Sequence, residues 1–343
     1  MLPLAGLVGM HGMVAGCAGD SAAPPDASNG NGSAPSDAFS GTPDNLDLCA
    51  QYKNGEAMNS NEVTPTVSGT VYTFTAGDTV FAVDAAKGGR IVTVSLGGKN
   101  TVTSPSGQNN NWGSTFWPSP QSVWNWPPPA ELDPGAYAAS ICGTKVAMAS
   151  ETSAALGIQV TKQFSVDATT GVVTIVYGMV NRGKQASSLA PWEITRVPAG
   201  GLTFFPMGQG SPKKGTQDLL PLQMAGGAAW FAYDAASIPQ EQKVFADGAE
   251  GWLAHVEGDV LLVKSFGDTT PTQAAPGESE IELYADAAHT YVEVENQGAY
   301  ASIAPGATAT WTVRWYVRKL DSTVSVQAGS AELLAIVRSL LGS

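Results

Sequence analysis

The chain has 343 residues, only 14% of them charged, with abundant Gly (39) and Pro (22), a net charge of −13 and a pI of about 4.6. A negative field of that size repels phosphate backbones and argues against nucleic acid as a partner; sparse charge with many turn residues favours β structure over helix. Beyond the N-terminus no stretch reaches the roughly 18 consecutive apolar residues that a membrane-spanning helix needs.

Leu2 to Gly16 is apolar or small and ends in Val14-Ala15-Gly16-Cys17. Small residues before a cysteine after a short apolar run read as a lipoprotein signal over 1–16, with Cys17 as the lipid anchor. Met1 to Met13 carries no Lys or Arg, so a plain secretory signal with a coincidental cysteine stays open. Either reading predicts export to the cell envelope, on the periplasmic or outer-membrane face. Residues 17–45 are Ser, Ala, Pro, Gly, Asn and Asp with few large apolar side chains, which predicts a flexible tether. Of the three cysteines, Cys49 and Cys142 remain once Cys17 is lipidated. In an oxidising compartment they are expected to pair, closing a loop of about 94 residues and contributing about 4–5 kcal/mol on the chain-entropy model.

A β domain is expected over 46–320. Strand patterns follow one another at Val71–Phe74, Val80–Val83, Arg90–Leu96, Ile158–Phe164 and Val172–Val180. Others fall at Val260–Phe266, Glu280–Tyr284, Tyr291–Gln297 and Thr310–Arg318. In the last, Trp311, Val313, Trp315 and Val317 share one face, as in a sandwich of antiparallel sheets. Residues 321–343 close the chain with one helix, Ala331 to Leu341, capped by Ser330 and ended by Gly342, packing on the domain. The fold class is therefore all-β, a large antiparallel β-sandwich with a C-terminal helix.

Two segments carry candidate chemistry. Asn109 to Pro129 holds four of the nine tryptophans, Trp112, Trp117, Trp124 and Trp126. Its prolines and Gly113 predict a stiff loop rather than a central strand. Flat Trp faces on such a loop suit sugar rings; folded back, they would instead plug the end of the sandwich. In Tyr291 to Tyr300, strand alternation puts Tyr291, Glu293, Glu295 and Gln297 on one face. Carboxylates roughly 6–7 Å apart raise one another's pKa, and this pair reads as an acid–base pair, a Ca²⁺ ligand set with nearby carbonyls, or a solvated face. No Walker loop, dinucleotide glycine fingerprint, zinc spacing or Gly-x-Ser-x-Gly elbow is present in the sequence.

Several motifs, in order, resemble the galactose mutarotase-like (aldose epimerase-like) superfamily, and within it an uncharacterised bacterial lipoprotein family. They are Gly88-Gly89-Arg90-Ile91-Val92-Thr93-Val94, Tyr177 to Gly183, Trp192-Glu193-Ile194-Thr195-Arg196, Val294-Glu295-Asn296-Gln297, and Ala304-Pro305-Gly306 before the Trp311 to Val317 strand. The resemblance covers about Leu46 to Leu320 and implies a supersandwich in which Glu295 is the general base. Mutarotases place histidines in the segments that here read Trp117 to Trp126 and Trp192 to Arg196; neither segment has one. The expectation is a carbohydrate-binding protein without ordinary mutarotase activity, with Arg90, Trp112, Trp117, Trp124, Trp126, Arg196, Lys264 and Gln297 as ligand contacts. The alternative is a sugar-active enzyme (epimerase, lyase or hydrolase) with Glu295 as base, Glu293 beside it, and Glu193 or His255 as acid. A third reading is a structural envelope protein whose Trp loop is core.

Overall fold

Alternating apolar and polar residues favour strands whose two faces meet different surroundings, and the computed structural model, which describes residues 47–50, 61–105 and 111–342, consists mostly of such strands. Among the described residues they form two large sheets packed face to face. The larger runs, in spatial order, Thr66–Ser68, Val71–Ala76, Thr79–Asp84, Arg90–Leu96, Ser114–Ser119, Ser187–Pro198, Tyr291–Gln297, Ile281–Ala285, Gln242–Ala246 and Asp218–Leu219. The smaller runs Gln223–Ala225, Ala228–Ala232, Leu202–Pro206, Trp252–Glu257, Val260–Ser265, Thr308–Lys319, Val173–Asn181, Ile158–Val166, Lys145–Thr152 and Ala138–Cys142. Neighbours pair antiparallel except Asp218–Leu219, which lies parallel to Gln242–Ala246. The expected all-β sandwich with a C-terminal helix is the fold.

The space between the sheets holds the main core, with Phe81, Val94, Phe116, Phe164, Ile175, Leu283, Val292, Val294, Val313 and Trp315 buried in it. The helix, Ala331–Leu341, covers the other face of the smaller sheet. Leu333, Leu334 and Val337 pack against Leu202, Phe204, Trp230, Trp252, Leu261 and Val263, each contributing about 1.5–3 kcal/mol by burial. Ser330 Oγ accepts from the Leu333 amide, and Gly342 ends the helix in the left-handed region at φ 75°.

The Trp-rich segment departs from its expected loop. Ser114–Ser119 is a strand inside the larger sheet, between Arg90–Leu96 and Ser187–Pro198. Pro118 is tolerated there because it lies opposite Pro191, a pairing in which neither residue is asked for an amide donor. The neighbouring strand on the other side pairs only through Ile91 with Ser114, so no ladder partner is lost at Pro118. Gly113 opens this strand at φ 61°, where a Cβ would lie 2.5 Å from the Ile91 carbonyl oxygen. Loop structure begins only after Ser119.

Cys49 and Cys142 form a disulfide with a Cα–Cα distance of 5.4 Å, which ties residues 47–50 onto the edge of the smaller sheet against Ala147 and Ala149. The signal over 1–16, Cys17, the tether through residue 45, and Asn109 and Asn110 lie outside the described residues. Among the described residues no helix is long and apolar enough to cross a membrane.

Candidate functional site

The strand Tyr291–Gln297 pairs with Ser187–Pro198 so that Gln297 faces Trp192, Glu295 faces Ile194 and Glu293 faces Arg196. On its other side Glu282 lies opposite Glu295 and Tyr284 opposite Glu293. Lys243 in turn lies opposite Tyr284. Because Val292 and Val294 enter the core, all these residues project from the outer face of the larger sheet.

Three ionisable groups form the centre of that face. Lys243 Nζ lies 2.7 Å from Glu282 Oε2 and 3.5 Å from Glu295 Oε1, while Trp192 Nε1 donates to Glu295 Oε2 at 2.7 Å. Gln297 Nε2 donates to Glu282 Oε1 at 2.6 Å. Arg196 forms an ion pair of 2.8 Å with Glu293 Oε1 and lies over the Trp117 and Tyr291 rings. Burial raises the Glu295 carboxyl; Lys243 opposes this and Glu293 reinforces it, leaving it near a pKa of about 7. Burial and the neighbouring Glu295 also hold Glu282 well above the usual carboxylate range, although Lys243 works against them. Burial works against the Lys243 ammonium too, but Glu282, Glu295 and Glu293 outweigh it and hold its pKa above that of an ordinary lysine.

Above this centre the tryptophans gather. The Trp117 ring meets Trp192, Trp124 and Trp126 edge-on at centroid distances of 5.3, 5.7 and 5.8 Å. Trp117 and Trp192 are buried, Trp124 is half-buried, and Trp126 is 58% exposed. The loop that carries the last two is pinned by Trp124 Nε1 donating to the Pro118 carbonyl and by the Gln121 amide donating to Glu278. Trp117 Nε1 donates to Asp133, which pairs with Arg90. The Arg90 guanidinium is fully buried, donates to the Trp112 carbonyl and lies 4.9 Å from that ring's centroid. Arg90 and Trp112 thus support the cluster from beneath and do not line it. Beside the trio a recess of about 320 Å³ is lined by Lys213, Phe245, Asp247, Glu278 and Glu280.

Three expected site residues lie elsewhere. Glu193 is adjacent to Trp192 and so points to the opposite face, between the sheets. There Lys264 Nζ lies 2.9 Å from it, and Tyr177 and Trp315 donate to it. Lys264 also donates to Thr195 Oγ1 and to the Val294 carbonyl, so it is a buried tie and not a ligand contact. His255 sits in the smaller sheet opposite Thr203, whose hydroxyl lies 2.9 Å from its Nδ1. Neither Glu193 nor His255 can act as an acid partner to Glu295, since both are walled off from its face by the core. Glu295, Glu293, Arg196, Gln297, Trp117, Trp124 and Trp126 are brought together as expected. Lys243, Glu282, Trp192, Asp133 and Glu278 complete the cluster and were not foreseen. Glu280-x-Glu282-x-Tyr284 and Glu241-x-Lys243-x-Phe245 carry the same alternation as the Glu293 strand, the signal by which Glu282 and Lys243 could have been found. Among the described residues no group of three or more His, Cys, Asp or Glu side chains is arranged to hold a metal ion.

Several polar atoms on this face are buried without a hydrogen-bond partner: Thr115 Oγ1, Ser119 Oγ, Arg196 Nη1 and Gln297 Oε1, while Glu295 Oε1 has only the 3.5 Å ion pair with Lys243. Thr115, opposite Ile194, and Ser119, opposite Ala190, project from the same side of the sheet as Trp117. Buried polar groups are almost always paired, so a concentration of orphans on one face calls for a physical account.

Burial pushes the His255 imidazole down to about 4, against 6.5 for the unperturbed ring. A depressed folded pKa contributes stability that is complete above the unfolded value and is lost as pH falls towards the folded one. Between pH 7 and 5 the loss attributable to His255 is expected to be roughly 2 kcal/mol. Glu280 and Glu295, both raised to about 7, act in the opposite sense over this range. Urea unfolding of the wild type and His255→Asn at both pH values isolates the histidine: the variant should lack this acid loss, and identical pH dependence would contradict it.

Solved structures share this architecture. A galactose mutarotase-like protein from Lactobacillus casei ATCC 334 superposes with a TM-score of 0.52 at 11% identity, covering 72% of this chain and 100% of that one. A putative aldose 1-epimerase from Klebsiella pneumoniae subsp. pneumoniae MGH 78578 gives 0.51 at 10% identity, over 81% and 85% of the two chains. A TPR-domain containing protein from Parabacteroides distasonis ATCC 8503 gives 0.53 at 14% identity over 75% of this chain, which spans only 49% of that longer one. Identities this low show a shared fold: a galactose mutarotase-like β-sandwich. No curated protein matches the sequence. The family model for a domain of unknown function, DUF4380, matches residues 117–318, from the first strand of the Trp cluster to the closing strand of the smaller sheet and well over half of the chain, and the chain belongs to that family.

Proposed function

We propose that the outer face of the larger sheet binds carbohydrate. The observation that carries this reading is the set of buried orphan atoms on that face, which mixes donors and acceptors: Arg196 Nη1 gives, Gln297 Oε1 receives, and the Thr115 and Ser119 hydroxyls do either. Sugar hydroxyls both give and receive, so a polyhydroxylated ligand matches such a set where an apolar one would leave it unpaired. The exposed Trp126 ring and half-buried Trp124 supply a flat surface for the C–H side of a sugar ring. The adjoining recess falls in the lower part of the size range of small-molecule sites. The likeness of the fold to a galactose mutarotase-like protein and a putative aldose 1-epimerase supports the same reading.

Titrating the protein with mono- and oligosaccharides should give a saturable change in tryptophan fluorescence. Trp126→Ala should weaken that binding by about tenfold, the equivalent of roughly 1.4 kcal/mol. Unchanged affinity in this variant would remove the Trp loop from the site.

A second reading, a sugar-active enzyme, is favoured by one observation: Glu295, held near neutrality, lies between Lys243 and the Trp192 indole and opposite Glu282. On this reading Glu295→Gln loses turnover of any sugar that binds while binding itself survives. Full turnover in that variant would exclude Glu295 as the base.

We further infer export with a lipid on Cys17, on the strength of the Val14-Ala15-Gly16-Cys17 run and of a disulfide suited to an oxidising compartment. Fatty-acid labelling should mark the wild type and not Cys17→Ser; equal labelling of both would reject the anchor.

A further inference from the structure

The recess and the strands beside it are unequal in charge. Asp247, Glu278 and Glu280 line the recess against the single cation Lys213. On the adjoining strands Glu282, Glu293 and Glu295 stand against Lys243 and Arg196, and Arg196 is already engaged with Glu293. Lys243 is shared between Glu282 and Glu295, so one lysine answers two carboxylates.

The unpartnered atoms are unequal as well. At the Lys243 end of the face, Gln297 Oε1 is an acceptor without a donor and Glu295 Oε1 has only the 3.5 Å contact of the shared Lys243; both residues are at most 2% exposed. Gln297 already uses its amide nitrogen on Glu282, which leaves its oxygen beside the carboxylates. The orphan donor, Arg196 Nη1, lies towards the other end of the same strand pair. An ammonium offers three donors and no acceptor, together with a positive charge. A carboxylate, sulfate or phosphate offers only acceptors and a negative charge, and would meet both inequalities with the wrong sign.

We propose that the site selects amino sugars: a ligand whose ring hydroxyls reach Arg196 and the tryptophans and whose ammonium lies among Glu278, Glu282, Glu295 and Gln297. This selection rests on the carbohydrate reading above and adds to it the sign of the charge. Glu278 couples the two parts of the site, because the same carboxylate that faces the recess accepts the Gln121 amide of the Trp loop. The ammonium therefore sits next to the anchor of the aromatic surface.

The test is calorimetric titration of the full-length protein at neutral pH with sugars matched in hydroxyl stereochemistry. Glucosamine is compared with glucose, galactosamine with galactose, and each amine with its N-acetyl and uronate counterparts. The amines should bind about tenfold more tightly than their neutral partners and the uronates most weakly. The preference should shrink as salt is raised, as expected for a partly open ionic site. Glu278→Gln, on the partly exposed rim, and Glu282→Gln should each lower the ratio of amine to neutral-sugar affinity. Equal or weaker binding of the amines would overturn the charge selection and leave the carbohydrate reading standing; so would a preference unchanged in both variants. Failure of every sugar to bind would remove the carbohydrate reading and this selection with it.

Discussion

The two sheets are joined at one carboxylate. Glu193 of the larger sheet receives Lys264, the Tyr177 hydroxyl and the Trp315 indole, all from the smaller sheet. Lys264 then reaches back to Thr195 and the Val294 carbonyl. A buried ion pair is tolerable only when its remaining valences are filled, and removing one partner of such a pair typically costs about 3–5 kcal/mol. Here both partners are filled from opposite sheets. The tie therefore fixes which face of the Ser187–Pro198 strand looks inward, and with it the direction of every other side chain on that strand. Lys162 makes a second crossing, from the smaller sheet to the Gly88 and Gly89 carbonyls.

The functional face follows from that choice. With Glu193 and Thr195 turned inward, Trp192, Ile194 and Arg196 must turn outward. They meet Gln297, Glu295 and Glu293 from one neighbour and Thr115 and Trp117 from the other. The edge-on Trp117–Trp192 pair then covers Glu295 and withdraws it from water, which is why its carboxyl rises to about 7 instead of titrating as a surface acid. Lys243 answers the charge that burial leaves behind. The aromatic cluster and the carboxylate pair are thus one arrangement: the rings supply the low-dielectric cover that gives the acids their character. The tip of the loop, at Trp126, stands exposed above this cover.

Much of this architecture was legible in the chain. Arg90–Leu96, Tyr291–Gln297 and the Ala331–Leu341 helix have the limits that their periodicity predicted, because each rule involved is local. The alignment of Glu293, Glu295 and Gln297 is a property of one strand and needed no partner to be seen. Trp192 to Arg196 shows the opposite case. Its alternation by itself would send Trp192 and Ile194 into the core and Glu193 and Thr195 to solvent. The structure reverses this, because buried partners across the sandwich satisfy Glu193 and because the outer face is itself covered by aromatic rings. For the same reason His255 and Lys264, chemically suited to a site, belong to the interior.

The sequence by itself determined the strand and helix pattern, the polar stripe on the Glu295 strand, and the concentration of tryptophan near it, since these depend on neighbours only a few residues apart. Tertiary structure alone decided that Lys243, Glu282 and Trp192 meet at Glu295, that Ser114–Ser119 is a central strand, and that Glu193 is a tie between sheets. Those outcomes depend on register between strands, several of them far apart in the chain, and on whether a polar group finds a buried partner. Side-chain period in a strand says that two faces differ; which face is core is decided only when every polar group on it has been either paired or left in water.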